Sequence, residues 1–164
     1  MKAALDINVR TNLQPGDLGK VVEMHGILYA REYRLDHTFE GHVAAGLGGF
    51  AKSYDERKDR LWLAEVNGRL VGSIAINGLE NQIGQLRWFL VDPEARGQGL
   101  GQRLLSEALD FCRNRGFKSV LLWTISELQA ARDLYQKAGF RLTEAKTHQI
   151  WGDIRTEQRY DLFL

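Results

Sequence analysis

Between residues 95 and 105 the chain reads ARGQGLGQRLL, with Gly97, Gly99 and Gly101 alternating. An apolar helical stripe starts at once: Leu100, Leu104, Leu105, Ala108, Phe111 and Cys112. In front lies QIGQLRWFLV (82–91), which reads as a strand. Asp92-Pro93 ends it, because the residue before proline is pushed out of the helical region. Glycine is costly in ordered structure, so three at a strand-to-helix junction imply that backbone must come close to something. Unpaired N–H groups and the helix dipole make such a junction an anion site in principle. The spacing argues against two familiar phosphate loops. A dinucleotide loop needs G-x-G-x-x-G and an acidic residue about 20 positions on, where this chain reads SVLLWT. A Walker loop needs G-K-[ST], which is absent. The bland alternative is a flexible connection without a ligand. Arg96 and Arg103 beside the glycines weigh against it.

The remaining punctuation sets the order of elements. LDINVR (5–10) reads as a first strand and QPGDLG breaks it. Leu18, Val21, Val22, His25, Leu28 and Tyr29 share one helical face. A second helix is expected over 39–54 despite four glycines. RLWLAEV and RLVGSIAI flank Asn67-Gly68, a hairpin signal. The helix behind the glycine loop runs to about Arg115, and KSVLLWT (118–124) reads as a strand buried on both faces. Ser126 and Gln129 fit a capping box for a helix that buries Leu128, Ala131, Leu134, Tyr135 and Ala138. FRLTEAKTH and RTEQRYDLFL close the chain as strands around WGD. The order β-α-α-β-β-β-α-β-α-β-β is a mixed α+β sheet with one β-α-β step. It is expected to fold as one domain, 1–164.

Charge and cysteine usage narrow the function classes. A net charge of +1 argues against a nucleic-acid partner. Four scattered histidines (25, 37, 42, 148) and one cysteine show no metal-ligand spacing. Cys112 sits on the apolar stripe and reads as a core residue rather than a nucleophile. MKAALDINVR lacks the apolar core of a signal peptide, and no run of about 18 apolar residues exists. The expectation is a soluble, cytoplasmic protein with no membrane partner.

RGQGLG (96–101) matches the R/Q-x-x-G-x-G/A motif of the GNAT family of N-acetyltransferases. FLVDPEARGQGLGQRLL looks like that family's strand–loop–helix core, and AARDLYQKAGF (130–140) like its second signature. More narrowly, HGILYAREY, FEGHVAAGL, LRWFLVDPEARG and WGDIRTEQRYDL look like the acetyltransferase domain often fused behind a MarR-type DNA-binding domain. This chain shows no such preceding domain and reads as a stand-alone member or a separated domain. The resemblance implies a mostly antiparallel seven-stranded sheet with splayed strands 4 and 5 and four main helices. It also implies acetyl-CoA as co-substrate, no metal, and direct transfer to a small-molecule or peptide amine in a ternary complex. Family members are often homodimers.

Residue by residue, the resemblance puts the pyrophosphate of coenzyme A on the loop of Gly97, Gln98, Gly99, Leu100, Gly101 and Gln102, with Arg96 and Arg103 adding positive charge. Phe89, Leu90 and Val91 would pair with pantetheine as an added strand would. A backbone N–H there, that of Leu90 for instance, would steady the oxyanion. Tyr135 would protonate the leaving thiolate, although it also fits the apolar stripe of its helix. His25, Tyr29, Tyr33 and Arg87 are the candidates for acceptor contact, Arg87 facing outward to bind a carboxylate. Phe39, Glu40 and Trp151 belong to the same region. The general base stays open. Many members carry a glutamate on strand 4, where this chain has no acidic residue. Glu127, Glu65, His148 and His25 are alternatives, each more often a solvated charge or a satisfied core group. That departure keeps a second reading alive, a non-catalytic acyl-CoA-binding regulatory module. A nucleotide-binding module, stabilised by NAD or ATP but not by CoA, is a third.

Overall fold

A computed structural model describes residues 3–164. Eleven main elements follow one another: β1 (Asn8–Arg10), α1 (Asp17–Tyr33), α2 (His37–Lys52), β2 (Arg60–Val66), β3 (Arg69–Gly78), β4 (Ile83–Val91), α3 (Leu100–Asn114), β5 (Ser119–Ile125), α4 (Gln129–Lys137), β6 (Arg141–Ile150) and β7 (Asp153–Phe163). The strands form one seven-stranded sheet in the order β1-β2-β3-β4-β5-β7-β6. All neighbours are antiparallel except β4 and β5. The expected order and the mixed α/β fold with four main helices are both present.

Period-two alternation divides the sheet between two cores. Trp62, Ile74, Ile76 and Leu86 pack on the α3 side with Leu104, Ala108 and Cys112. Leu61, Leu63 and Ala75 face the other way, onto Val21, Leu28, Val43 and Leu47 of α1 and α2. The α2 glycines do not break that helix, because Phe39, Val43, Leu47 and Phe50 bury a continuous stripe. Asp36 caps it by accepting from the Thr38 N–H.

β4 does not keep its phase. Leu86 lies in the α3-side core, yet Trp88, two residues on, lies in the α1/α2-side core. The register shifts between Ser73 and Ala75 of β3, which pair with Leu90 and Arg87 of β4. Two β4 residues, Trp88 and Phe89, therefore oppose one of β3, Ile74, which is a bulge. Trp88 takes the left-handed backbone, φ 49°, and its carbonyl oxygen accepts a buried hydrogen bond from Ser73 Oγ at 2.7 Å. β4 pairs with β5 only from Ile83 to Gln85, against Ser119 to Leu121. Beyond that the two strands part.

Two local expectations are corrected. The Ser126–Gln129 capping box is not formed: Ser126 Oγ bonds the Glu127 carboxylate instead, and α4 starts at Gln129 with no side-chain cap. The segment ahead of α4 is tied to β7, by Ser126 N–H to Thr156 O and Glu127 to Arg155. The first strand is shorter than expected, because only Asn8–Arg10 pair with β2. Leu5 donates its N–H to Gln98 Oε1 in the glycine loop.

Candidate active site

Two cavities open where β4 parts from β5. One, of about 390 Å³, is bounded by Phe89, Leu90, Val91, the glycine loop and α4. The other, of about 380 Å³, lies under α1 and α2 and reaches Trp123, Trp151 and Glu157. Tyr29, Phe89 and Leu128 line both, so the cavities meet at these three side chains.

The first cavity has an amide floor. Gly97 and Gly99 both sit in the left-handed region, φ 77° and 78°, where a side chain is strained. Nothing lies within 4 Å of a Cβ at either, so both stand over open space. Gly101 serves a different purpose: its Cβ would lie 3.2 Å from Leu134 Cδ1, so it lets α3 pack closely on α4. Among the described residues no protein acceptor takes the N–H groups of Gly97 to Gln102, and the first of this turn to be paired is Arg103, bonded to Gly99 O. These N–H groups end α3 at its positive pole, which suits an anion. Arg96 borders the cavity, but its guanidinium is held by the Glu32 carboxylate at 2.7 and 2.9 Å, and its Nε donates to Val91 O. Arg103 is exposed and, among the described residues, meets only the Glu107 carboxylate, 3.8 Å away. The anion charge is thus left chiefly to the amides. Tyr33 lines this cavity rather than the one under α2. Leu128, Ala131 and Leu134 are half-buried because they face this open space.

Tyr135 is buried in the aromatic group of Phe89, Phe140 and Tyr160, with ring centres 5.8 to 6.3 Å apart. It borders the second cavity beside the junction. Burial pushes its phenol well above the ordinary tyrosine range, helped by the nearby Tyr29 hydroxyl. Tyr29 is raised in the same way, again chiefly by burial. Both hydroxyls therefore stay protonated at neutral pH.

The second cavity is aromatic with a few charges. Phe39 packs on Trp151 at 5.0 Å and His42 on Trp151 at 5.5 Å. Arg87 is half-buried against α2 rather than outward-facing: it pairs with Ala75 on the strand face that α2 covers, and the bulge adds Trp88 to that face. Its Cζ lies 4.3 Å from the centre of the Trp88 ring. His25 is buried, and its Nδ1 donates to Val21 O at 2.8 Å, leaving Nε2 as an unpartnered acceptor. Burial lowers its pKa to about 4, so the ring is neutral. The other base candidates are engaged. Glu127 holds the buried Arg155 at 2.7 Å, and Glu65 holds Arg10, which also grips Asp17. His148 is tied to Glu157 at 2.6 Å. His42 and Glu157, not singled out from the sequence, line the cavity as well. Partial desolvation and the charge on Arg87 hold the His42 imidazole below the usual histidine range, against a smaller upward pull from Glu157.

Residues 27–140 match the acetyltransferase (GNAT) family. The chain belongs to this family. An uncharacterized N-acetyltransferase of Methanocaldococcus jannaschii is 27% identical over 88% of this chain and 73% of its own length. Human N-acetyltransferase 8B is 32% identical over 64% of this chain, which spans about half (49%) of that protein. Among solved structures, an acetyltransferase from Streptococcus agalactiae superposes with a TM-score of 0.79 at 24% identity, covering 96% of this chain and 98% of its own. An acetyltransferase from Salmonella typhimurium, solved with acetyl-CoA, gives 0.75 at 18% identity over 96% of this chain and 94% of its own. In this GNAT chain no helix among the described residues is long and apolar enough to cross a membrane. No group of three or more metal-type ligands occurs among them either.

Proposed function

We propose that the protein is an acetyl-CoA-dependent N-acetyltransferase that passes the acetyl group directly to an amine. The observation that carries this reading is the meeting of two cavities at Tyr29, Phe89 and Leu128, one of them floored by unpaired loop amides. Coenzyme A enters from the loop side, with its pyrophosphate on the amides of residues 97–102. Pantetheine lies along Phe89–Val91, where β4 has no β5 partner. That path brings the thioester to the junction. The amine arrives from the α2 side and attacks the carbonyl carbon. A β4 N–H, such as that of Leu90, supports the oxyanion. Tyr135, still protonated, gives its proton to the departing thiolate. Direct attack needs no acyl-enzyme, and Cys112 is buried away from both cavities.

The likeness to domains behind MarR-type regulators rests on four sequence segments and adds no partner. The reading of a CoA-binding module without chemistry is separated by one experiment. Acetyl-CoA should raise the melting temperature where NAD and ATP do not, and an amine panel should release free CoA. Stabilisation without CoA release favours the module.

A further inference from the structure

Several guanidiniums of this chain meet a carboxylate, while half-buried Arg60 rests on the Phe111 ring at 4.6 Å and half-buried Arg132 donates to Ser126 O at 3.3 Å. Arg10 has Asp17 and Glu65, Arg96 has Glu32, Arg155 has Glu127 and Arg159 has Asp161. Arg87 has none among the described residues, and no hydrogen bond either, although it is half-buried. Desolvation without a compensating partner lowers its pKa, against the rise seen at Arg10, Arg96 and Arg159. It is nevertheless held in place. Its Cζ rests on the Trp88 ring, and its Nη2 lies 2.7 Å from where a Cβ on Gly46 would be. The absent side chain of Gly46 thus makes the seat for the guanidinium on α2. His42 lies one helical turn before Gly46 on the same face, and both His42 and Arg87 open on the cavity. The one carboxylate in that wall, Glu157, is already taken by His148 at 2.6 Å and Lys146 at 3.8 Å. A partly desolvated, unpaired guanidinium is a receptor for a carboxylate, with two parallel hydrogen bonds in reach.

We propose that the acceptor is a free amino acid, held by its carboxylate on Arg87 with its nitrogen toward His42. The inference rests on the acetyl-transfer reading above and names the substrate class for it. The aromatic walls of Phe39, Trp123 and Trp151 suit a bulky apolar side chain. The ammonium nitrogen first gives a proton to the His42 imidazole, which passes it to solvent. The nitrogen lone pair then forms the N–C bond at the thioester carbonyl, and the C–S bond breaks. The second nitrogen proton balances the one that Tyr135 supplies to the thiolate. The products are the N-acetyl amino acid, free CoA and one proton. Arg87, Glu157, Lys146 and His148 are the charged and titratable groups around His42 in this wall, with neutral His25 further in.

The experiment compares amino acids with their decarboxylated amines: phenylalanine with phenethylamine, tryptophan with tryptamine, leucine with isoamylamine. CoA release is measured on the full chain, and acetyl-CoA binding is followed separately by melting temperature. In each used pair the amino acid should exceed its amine by roughly tenfold or more in kcat/KM, the worth of a charge-assisted hydrogen-bond pair. Arg87→Gln should erase that preference while acetyl-CoA still raises the melting temperature. Gly46→Ala, which pushes the guanidinium off its seat, should weaken the preference in the same direction. Equal or better use of the amines overturns the proposal, as does a preference that survives Arg87→Gln. CoA release with amines but with no amino acid also overturns it, whereas binding of acetyl-CoA with no acetylation of either overturns the acetyl-transfer reading itself. Failure of the wild-type chain to bind acetyl-CoA overturns instead the reading on which it stands.

Discussion

The Ser73 hydroxyl, on β3, donates to the carbonyl oxygen of Trp88, on β4, across 2.7 Å of buried space. This bond pins the left-handed residue that makes the bulge. A bulky residue in that conformation costs about 1–2 kcal/mol, so the surroundings must hold it there. Ser73→Ala leaves the carbonyl unpaired and should cost about 1–3 kcal/mol in urea unfolding. Turnover should fall as well, because β4 relaxing toward a regular strand swings Trp88, on which Arg87 rests, from α2 and narrows the cleft. A variant that loses stability but keeps wild-type kcat contradicts the role given to the bulge.

Tyr135→Phe removes one buried hydroxyl and keeps the ring contacts with Phe89, Phe140 and Tyr160. If that hydroxyl protonates the thiolate, kcat falls by about a hundredfold, in the range of general acid catalysis. Acetyl-CoA affinity, measured by calorimetry, stays within about twofold, since the contact matters after the thioester has reacted. An unchanged kcat removes the acid from Tyr135.

Gly99→Ala tests the amide floor. The new methyl meets no protein atom, but the backbone at φ 78° is strained and the methyl enters the space over the loop. Acetyl-CoA should bind about tenfold or more weakly, with about 1 kcal/mol lost in stability. Gly116→Ala carries the same backbone strain outside the cavity, at φ 77°. It should lose comparable stability with no change in acetyl-CoA binding. Equal effects of both variants on binding would refute a role for the loop amides.

The acid side of the stability curve should carry a mark of His25. Its folded pKa, about 4, lies below the ordinary 6.5 because burial disfavours the imidazolium. The unfolded chain therefore binds the proton first. The stability this neutral ring contributes is complete above pH 6.5 and is lost as pH falls toward 4. At about 1.4 kcal/mol per pH unit the loss reaches roughly 3 kcal/mol. Asp17, lowered by Arg10, acts with the same sign in the carboxylate range. Melting temperatures of wild type and His25→Leu from pH 8 to 4 check this. The variant should fall less steeply between about pH 6.5 and 4, and parallel curves would contradict the assignment.

Much of the loop-side cavity, the donor side in the proposed reaction, was legible in the sequence. Strand, proline stop, alternating glycines and helix stripe are local features, and local features set where N–H groups end up unpaired. The acceptor side was less so, because it depends on packing between distant elements. No turn residue marks Trp88, so nothing in QIGQLRWFLV announces the bulge that puts Trp88 on the same face as Arg87. His42 sits in a glycine-rich segment and meets Arg87 and Glu157 only when α2, β4 and β7 converge. Glu127 and Glu65 looked available as bases because their partners, Arg155 and Arg10, lie 28 and 55 residues away. Arg96 looked free for phosphate for the same reason, its partner Glu32 being 64 residues off.

In the proposed reaction the two cavities form one path that meets at Tyr29, Phe89 and Leu128. Its most direct test is product analysis with isotope-labelled acetyl-CoA. The protein is incubated with the labelled donor and a panel of amines, and acetylated amine and free CoA are quantified by mass spectrometry. Label is expected on the amine nitrogen in equal amount to the CoA released. Tyr135→Phe should slow both together. Acetyl-CoA bound and recovered intact, with no labelled amine from any acceptor, would contradict the proposed path.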